Sequence, residues 1–346
     1  MKDVLIVGFG LAGLSVAWHA HECGLQFDIV NDHSQRSSKI AGGILNPVAI
    51  KRMKPVWNVE SFLPYATEYY KKLEEHIGQN FSFRRGINVY IQDNYKSNLW
   101  FEALDNKRVV PFISPKLKET DNPVLNVSHL GKVDAQQIDL PHLFTTAVEH
   151  YKQLDSYREH SFDYSSVSVT DESLVYDGNA YKHIIFCEGF GVTKNPFFNN
   201  LGVYGNKGDY LIIQAKGLTS EQILKSKFFL IPLGDDTYKF GATYQRKPLD
   251  HEPSDKAKAE MREALEKMIN CPYKIIDQVC GIRPTTKDRK PVLGTHFKHN
   301  NLHVFNGFGS RGVMTSPLLG KQLINHVFNA VPLPKDISIN RIYART

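Results

Sequence analysis

Apolar and polar positions change rhythm several times along the chain. Val4, Leu5, Ile6 and Val7 form an unbroken apolar run, the pattern of a strand covered on both faces. Gly8-Phe-Gly-Leu-Ala-Gly13 follows, then a helical stretch from Leu14 to Cys23 stopped by Gly24, and a second apolar run from Phe27 to Val30. Within about 30 residues these make the strand–turn–helix–strand unit of a nucleotide-binding fold. Between Val59 and Ile77, Phe62, Tyr65, Ala66, Tyr69, Tyr70 and Leu73 recur at helical spacing, which places the tyrosines in a core or an interface. From about Phe81 to Asn126 short apolar runs alternate with turn residues, as in an antiparallel sheet. Leu140 to Tyr151 reads as a helix, and Tyr181 to Phe186 as a strand running into Cys187-Glu-Gly-Phe-Gly191. Residues 208–215 and 228–244 read as antiparallel strands, and Lys256 to Ile269 as an amphipathic helix. Leu302 to Phe305 is a last strand, followed by a glycine turn and a helix from about Ser316 to Phe328.

The order of these elements predicts an α/β protein of two domains. A discontinuous Rossmann-like domain takes residues 1–50, 130–200 and 275–346, and an α+β substrate domain with an antiparallel sheet takes 51–129 and 201–274. Composition agrees. The 346 residues are 42% hydrophobic and 23% charged, enough apolar material to exclude wholesale disorder. Cys23, Cys187, Cys271 and Cys280 are far apart with no CxxC pair, which excludes a disulfide scaffold or zinc ribbon and fits a cytoplasmic protein. The histidines lack ligand spacing such as HExxH, so no metal is expected. The apolar stretch from Val4 to Ala20 is too short for a membrane helix and carries three glycines, so no membrane partner is expected. The net charge of +6 permits an anionic partner. Lys51, Arg52 and Lys54, with Arg84 and Arg85, form basic clusters that either hold nucleic-acid phosphates or are solvated loop faces.

Each glycine of the first turn has a physical task. Gly8 permits the tight turn, Gly10 lets a pyrophosphate approach the backbone, and Gly13 lets the helix sit close to the sheet. Leu11 and Ala12 open the helix, whose free N–H groups and positive dipole end face the phosphates. The acidic residue that holds a ribose hydroxyl is due about 20 residues on. That place is taken by Asn31, with Asp32 next. Either Asn31 serves through its amide, or Asp32 does.

Several separated motifs point one way. Gly8 to Gly13 matches an opening dinucleotide turn, and Ser37-Ser-Lys-Ile-Ala-Gly-Gly43 looks like a small-residue loop passing beside a flavin. Gly131-Lys-Val-Asp134 resembles the start of a middle cofactor segment, and Ile184 to Gly191 a second glycine turn. Asn206-Lys-Gly208 stands where Arg-Gly is frequent, and Phe240-Gly-Ala-Thr243 matches a strand motif. Gly281-Ile-Arg-Pro284 and Asn306-Gly-Phe-Gly-Ser-Arg-Gly312 close the series. With these motifs in order over nearly its whole length, the chain resembles the D-amino acid oxidase superfamily of FAD enzymes, which includes glycine oxidase and sarcosine oxidase. Gly307 to Gly312 followed by Thr315-Ser-Pro-Leu318 is similar to the oxidase domain of the bifunctional tRNA wobble-uridine enzyme. In glycine oxidase-like members the arginine of that turn sits one position earlier, where this chain has Ser310.

The resemblance implies non-covalent FAD held by Gly8, Gly10, Leu11, Ala12, Gly13, Asn31 or Asp32, Ser38, Ala41, Gly42, Gly43, Val167 and Gly189. At the far end Gly309, Ser310, Arg311, Gly312 and Val313 would lie near the flavin edge. It also implies oxidation of a C–N bond in an amine bearing a carboxylate, with Arg283 as the carboxylate clamp. The alternative for Arg283 is an ion pair to an acid such as Asp288. Arg311 is a second catalytic candidate, for substrate or for the flavin edge, and Tyr244 a third that either orients substrate or is structural. Lys207 reads as a solvated surface lysine, with a place near the flavin as its alternative. The leading substrate is a carboxymethylaminomethyl group on tRNA, followed by free glycine, sarcosine or a small D-amino acid. A non-catalytic flavoprotein that binds RNA or a protein partner is the rival of another class. An NAD-dependent dehydrogenase fits the first unit but leaves the later motifs unexplained.

Overall fold

The computed structural model describes residues 1–120, 122–169 and 173–344. The main elements are β1 (Lys2–Val7), α1 (Leu11–Glu22), β2 (Phe27–Val30), α2 (Val59–Ile77), β3 (Ile87–Ile91), α3 (Asn94–Glu102), β4 (His129–Val133), α4 (Leu140–Gln153), β5 (Tyr157–Arg158) and β6 (Leu174–Tyr176). There follow β7 (Asn179–Phe186), β8 (Tyr204–Gln214), β9 (Ile223–Lys225), β10 (Phe229–Gly234), β11 (Thr237–Gly241), α5 (Asp255–Glu266), β12 (Lys274–Thr285), β13 (Val292–Thr295), β14 (Leu302–Asn306) and α6 (Gly312–Asn329).

The first sheet has β5, β2, β1 and β7 in parallel order, with β14 parallel on the far edge of β7. Its strands are buried on both faces, which is why they read as continuous apolar runs. Val4 and Ile6 pack toward α1, α2, α4 and α6, while Leu5 and Val7 pack with Ile184, Phe186 and Val304 on the opposite face. Val7, Val30, Phe186 and Asn306 end together at the carboxyl edge, where open parallel sheets bind their ligands.

The second sheet runs β12-β8-β11-β10-β9-β3-β4 and is antiparallel except at the β9–β3 pair. One face is covered by α5 through Ala257, Met261 and Leu265. The other turns toward the carboxyl edge of the first sheet. Alternation with period 2 puts Gly281 and Arg283 of β12, with Gly208 and Tyr210 of β8, on that inward side.

Three expected boundaries move. β4 and β12 are strands of the second sheet, so Gly131-Lys-Val and residues 275–285 belong to it and not to the nucleotide side. Gly131 serves packing there, since a Cβ on it would lie 2.5 Å from the Trp100 ring. Conversely α2 buries Phe62, Ala66, Tyr69 and Tyr70 in the core of the nucleotide sheet. Residues 94–102, expected to be sheet, are helical. Asp93 caps them by accepting the Lys96 N–H at 2.8 Å.

Helix α6 begins at Gly312, earlier than Ser316. Pro317 has no N–H for the carbonyl of Val313, and the Tyr70 hydroxyl donates to that carbonyl instead, at 2.8 Å. The helix therefore continues through the proline. Ser15 of α1 donates to the Ser316 carbonyl at 2.7 Å and His19 binds the Pro317 carbonyl at 2.8 Å, both in the interior.

Candidate active site and flavin cleft

A cleft of about 830 Å³ runs along the carboxyl edge of the first sheet and ends under the second. At one end the glycine turn leaves no room for side chains. Gly8 has φ +93°, and a Cβ there would lie 2.7 Å from the Cys187 carbonyl oxygen. A Cβ on Gly13 would lie 2.0 Å from the Gly8 oxygen. Helix α1 has no acid in its first turn and no side-chain cap from Gly10, so its N-terminus is ready for an anion. Ser38 approaches this turn and accepts the Leu11 N–H at 3.1 Å.

Asn31 and Asp32 separate by role. The Asn31 side chain accepts the Phe9 N–H at 3.1 Å and donates to the Tyr157 hydroxyl at 2.9 Å. It thus braces the turn. Asp32 is exposed at the cleft wall, with Ser34 and Ser161 donating to its two oxygens. Glu188, unmarked by the sequence reading, also lines this end. Tyr164 and Asn195 donate to its carboxylate, and burial pushes its pKa up to about 7. Val167 does not line the cleft. It packs beside Phe162 and Tyr164 against the Phe186 cluster, and those two rings take the wall instead.

The loop from Ser37 to Gly43 crosses the middle. Gly43 has φ +68°, and a Cβ there would lie 1.9 Å from the Ile138 oxygen. Below the loop, Lys239 is buried and donates to the Ile40 carbonyl at 3.2 Å, with its pKa pushed down to about 8 by burial. Alternation with Gly241 along β11 was the available signal for it, as alternation from Gly208 was for Tyr210.

The substrate end is cationic. Arg283 donates to the Asn206 side chain at 3.3 Å and to the Thr243 carbonyl at 3.2 Å, and lies 4.6 Å over the Tyr244 ring. The expected alternative partner, Asp288, is bound to Arg341 at 3.1 Å. Among the described residues no carboxylate lies within ion-pair distance of Arg283 or Arg311. Arg311 caps α6 without a side-chain hydrogen bond, and burial and Arg52 lower its pKa while Tyr244 opposes them. Tyr244 is 67% exposed and stands at the mouth.

Every remaining expected residue except Gly13 lines the cleft: Gly8, Gly10, Leu11, Ala12, Ser38, Ala41, Gly42, Gly43, Gly189, Gly309, Ser310, Gly312 and Val313. Lys207 is neither at the surface nor at the cleft. It is 1% exposed and pairs with Asp250 at 2.5 Å. The basic clusters divide as well. Lys51 and Arg52 line the cleft, whereas Arg85 is committed to Gln137 and the Pro232 carbonyl, both at 2.8 Å.

A close-packed glycine turn at a parallel carboxyl edge and two helix N-termini without acids, both lining one cleft, fit a dinucleotide such as FAD. The fold and cleft are those of a two-domain flavin-dependent oxidoreductase. Residues 3–325 match the family model of DAO, FAD dependent oxidoreductase, and the chain belongs to that family.

Solved structures agree in fold at low identity. Glycine oxidase from Geobacillus kaustophilus is 16% identical over 96% of this chain and 95% of that one, with a TM-score of 0.79. Iminodiacetate oxidase from Chelativorans sp. BNC1 is 18% identical over 97% and 99%, with a TM-score of 0.77. L-alpha-glycerophosphate oxidase from Mycoplasma pneumoniae, solved with FAD bound, is 15% identical over 94% of each chain, with a TM-score of 0.74. The names of these proteins span amines and a glycerophosphate, so the bond oxidised has to be read from the site. No helix among the described residues is long and apolar enough to cross a membrane.

Proposed function

We propose that this enzyme oxidises the C–N bond of a small amine that carries a carboxylate on the oxidised carbon. One observation carries the reading. The Arg283 guanidinium faces the cleft among neutral partners, Asn206, the Thr243 carbonyl and the Tyr210 hydroxyl, with no carboxylate among the described residues paired to it. Glycine oxidase and iminodiacetate oxidase, whose named substrates are such amines, share the fold.

FAD, when bound, supplies the two-electron acceptor that side chains cannot provide. The protein supplies position and charge. Arg283 fixes the carboxylate with two parallel hydrogen bonds, which leaves the adjacent carbon one orientation. Tyr244 packs on the guanidinium and shields that contact from water at the mouth. The N-terminus of α6, with no acid in its first turn, would offer backbone N–H groups to negative charge on a flavin bound there. The positive charge of this end favours the uncharged form of a bound amine, whose nitrogen lone pair is free to assist departure of a hydride from the adjacent carbon.

A carboxymethylaminomethyl group on tRNA is the second reading. The exposed Lys51 and Arg52 at the cleft favour it, and the commitment of Arg85 elsewhere removes part of its support. Anaerobic bleaching of the flavin tests both. Glycine, sarcosine, iminodiacetate, small D-amino acids and modified tRNA are mixed separately with the holoenzyme. Rapid bleaching by a free amine is expected. Bleaching by tRNA alone transfers the assignment to the second reading, and no bleaching by any of them overturns both.

A further inference from the structure

Two guanidiniums share the substrate end of the cleft. Arg283 comes from β12 and Arg311 from the turn before α6, and the two segments are stitched together. The Gly309 N–H donates to the Pro284 carbonyl at 2.8 Å, and Thr285 bridges Phe308. Tyr244 stands between the cations. Its ring supports Arg283, and its hydroxyl is an electrostatic neighbour of Arg311. Arg52 is the other charged neighbour of Arg311.

The charges along the cleft are unevenly distributed. Its lining includes Lys51, Arg52, Lys194, Lys225, Lys227, Arg283 and Arg311, but only two carboxylates. Both of those, Asp32 and Glu188, follow β2 and β7 at the nucleotide end. The nucleotide end also holds the glycine turn suited to the pyrophosphate. One monocarboxylate would satisfy Arg283 and leave Arg311, partly buried beside Arg52, with no carboxylate partner. An unpaired cation in such a place is costly.

We propose that the preferred substrate is a secondary amine flanked by two anionic groups. Arg283 holds the carboxylate on the oxidised carbon, and Arg311 with Arg52 holds the second anion on the other side of the nitrogen. This rests on the amine-oxidase reading above and narrows its substrate class.

Oxydiacetate and methoxyacetate test the proposal without turnover. They are ethers with no C–N bond, and the second carboxylate distinguishes them. Titration calorimetry on the holoenzyme should give oxydiacetate an affinity about 30-fold higher, the worth of one charge-assisted hydrogen-bonded contact. In Arg311→Met that ratio should fall to within about threefold, with FAD content checked by visible absorbance. In Arg283→Met both ligands should weaken. Equal affinities in the unaltered enzyme overturn the proposal whatever the variants do, and so does a ratio that survives Arg311→Met. The latter leaves Arg311 to the flavin edge alone.

Flavin reduction separates this inference from the one beneath it. Reduction by sarcosine and iminodiacetate at equal kcat/KM keeps the amine-oxidase reading and removes the second anion. Tight oxydiacetate binding with no reduction by either amine keeps the double anion site and removes amine oxidation.

Discussion

Gly208 and Arg283 occupy one another's space. A Cβ on Gly208 would lie 2.1 Å from Nη2 of Arg283, so the guanidinium lies over β8 where a side chain would otherwise be. The Asn206↔Arg283 and Gly208↔Gly281 register of β8 and β12 makes this contact unavoidable. Gly208→Ala should therefore push the guanidinium out of place. The expected result is a rise of about tenfold or more in KM for the carboxylate substrate, with kcat less affected. Steady-state kinetics on FAD-replete protein measures it.

Arg283→Lys keeps the charge and loses the planar fork. It should lower kcat/KM by about 30- to 100-fold, since one of two charge-assisted hydrogen bonds goes. Inhibition by simple carboxylates should weaken in parallel. A kcat/KM within threefold of the unaltered enzyme would remove Arg283 from the substrate.

Glu188 gives stability a pH dependence. Burial raises its pKa from about 4.5 to about 7 in the folded protein. Between those values the folded state keeps a proton that the unfolded state has lost. Its contribution to stability is full below about pH 4.5 and is lost as pH rises through about 7, up to about 3 kcal/mol in all. Glu188→Gln cannot ionise, so its thermal midpoint should exceed that of the unaltered protein at pH 8 and converge with it at pH 5. Parallel melting curves at the two pH values check this.

Tyr70→Phe should cost about 1–3 kcal/mol by leaving the Val313 carbonyl without a donor inside a buried helix. The loss should appear in the denaturation midpoint. FAD should also dissociate more readily, because Val313 and Gly312 line the cleft at the start of that helix.

The nucleotide half was readable because its signals are local. An unbroken apolar strand, glycines at fixed spacing and a following helix lie within one stretch from Lys2 to Val30. Gly-Ile-Arg-Pro singled out Arg283 through a family resemblance, and the structure puts that residue in the cleft lining. What could not be read depends on distant partners. The stripe on α2 announces a buried face but not which of two cores receives it. Lys207 is buried because Asp250 and Glu252, more than 40 residues away, fold over it. Glu188 looked like one more polar residue in a glycine turn, and it becomes notable only when Tyr164 and Asn195 close around it. The Asp93 cap of α3, by contrast, is a local signal, lying within a stretch whose alternation reads as sheet.

The bond from Gly309 to Pro284 and the Thr285–Phe308 bridge join the segment after β14 to β12, beside Arg283 and Arg311 in the chain. A hinge between the halves would have to break both. Access is then a matter of side-chain rotation at the exposed Tyr244, faster than any opening of domains. The backbone positions that carry Arg283 and Arg311 are correspondingly tied to one another. A substrate longer by one methylene would have to be met by rotation of these two side chains, because the backbone between them is pinned.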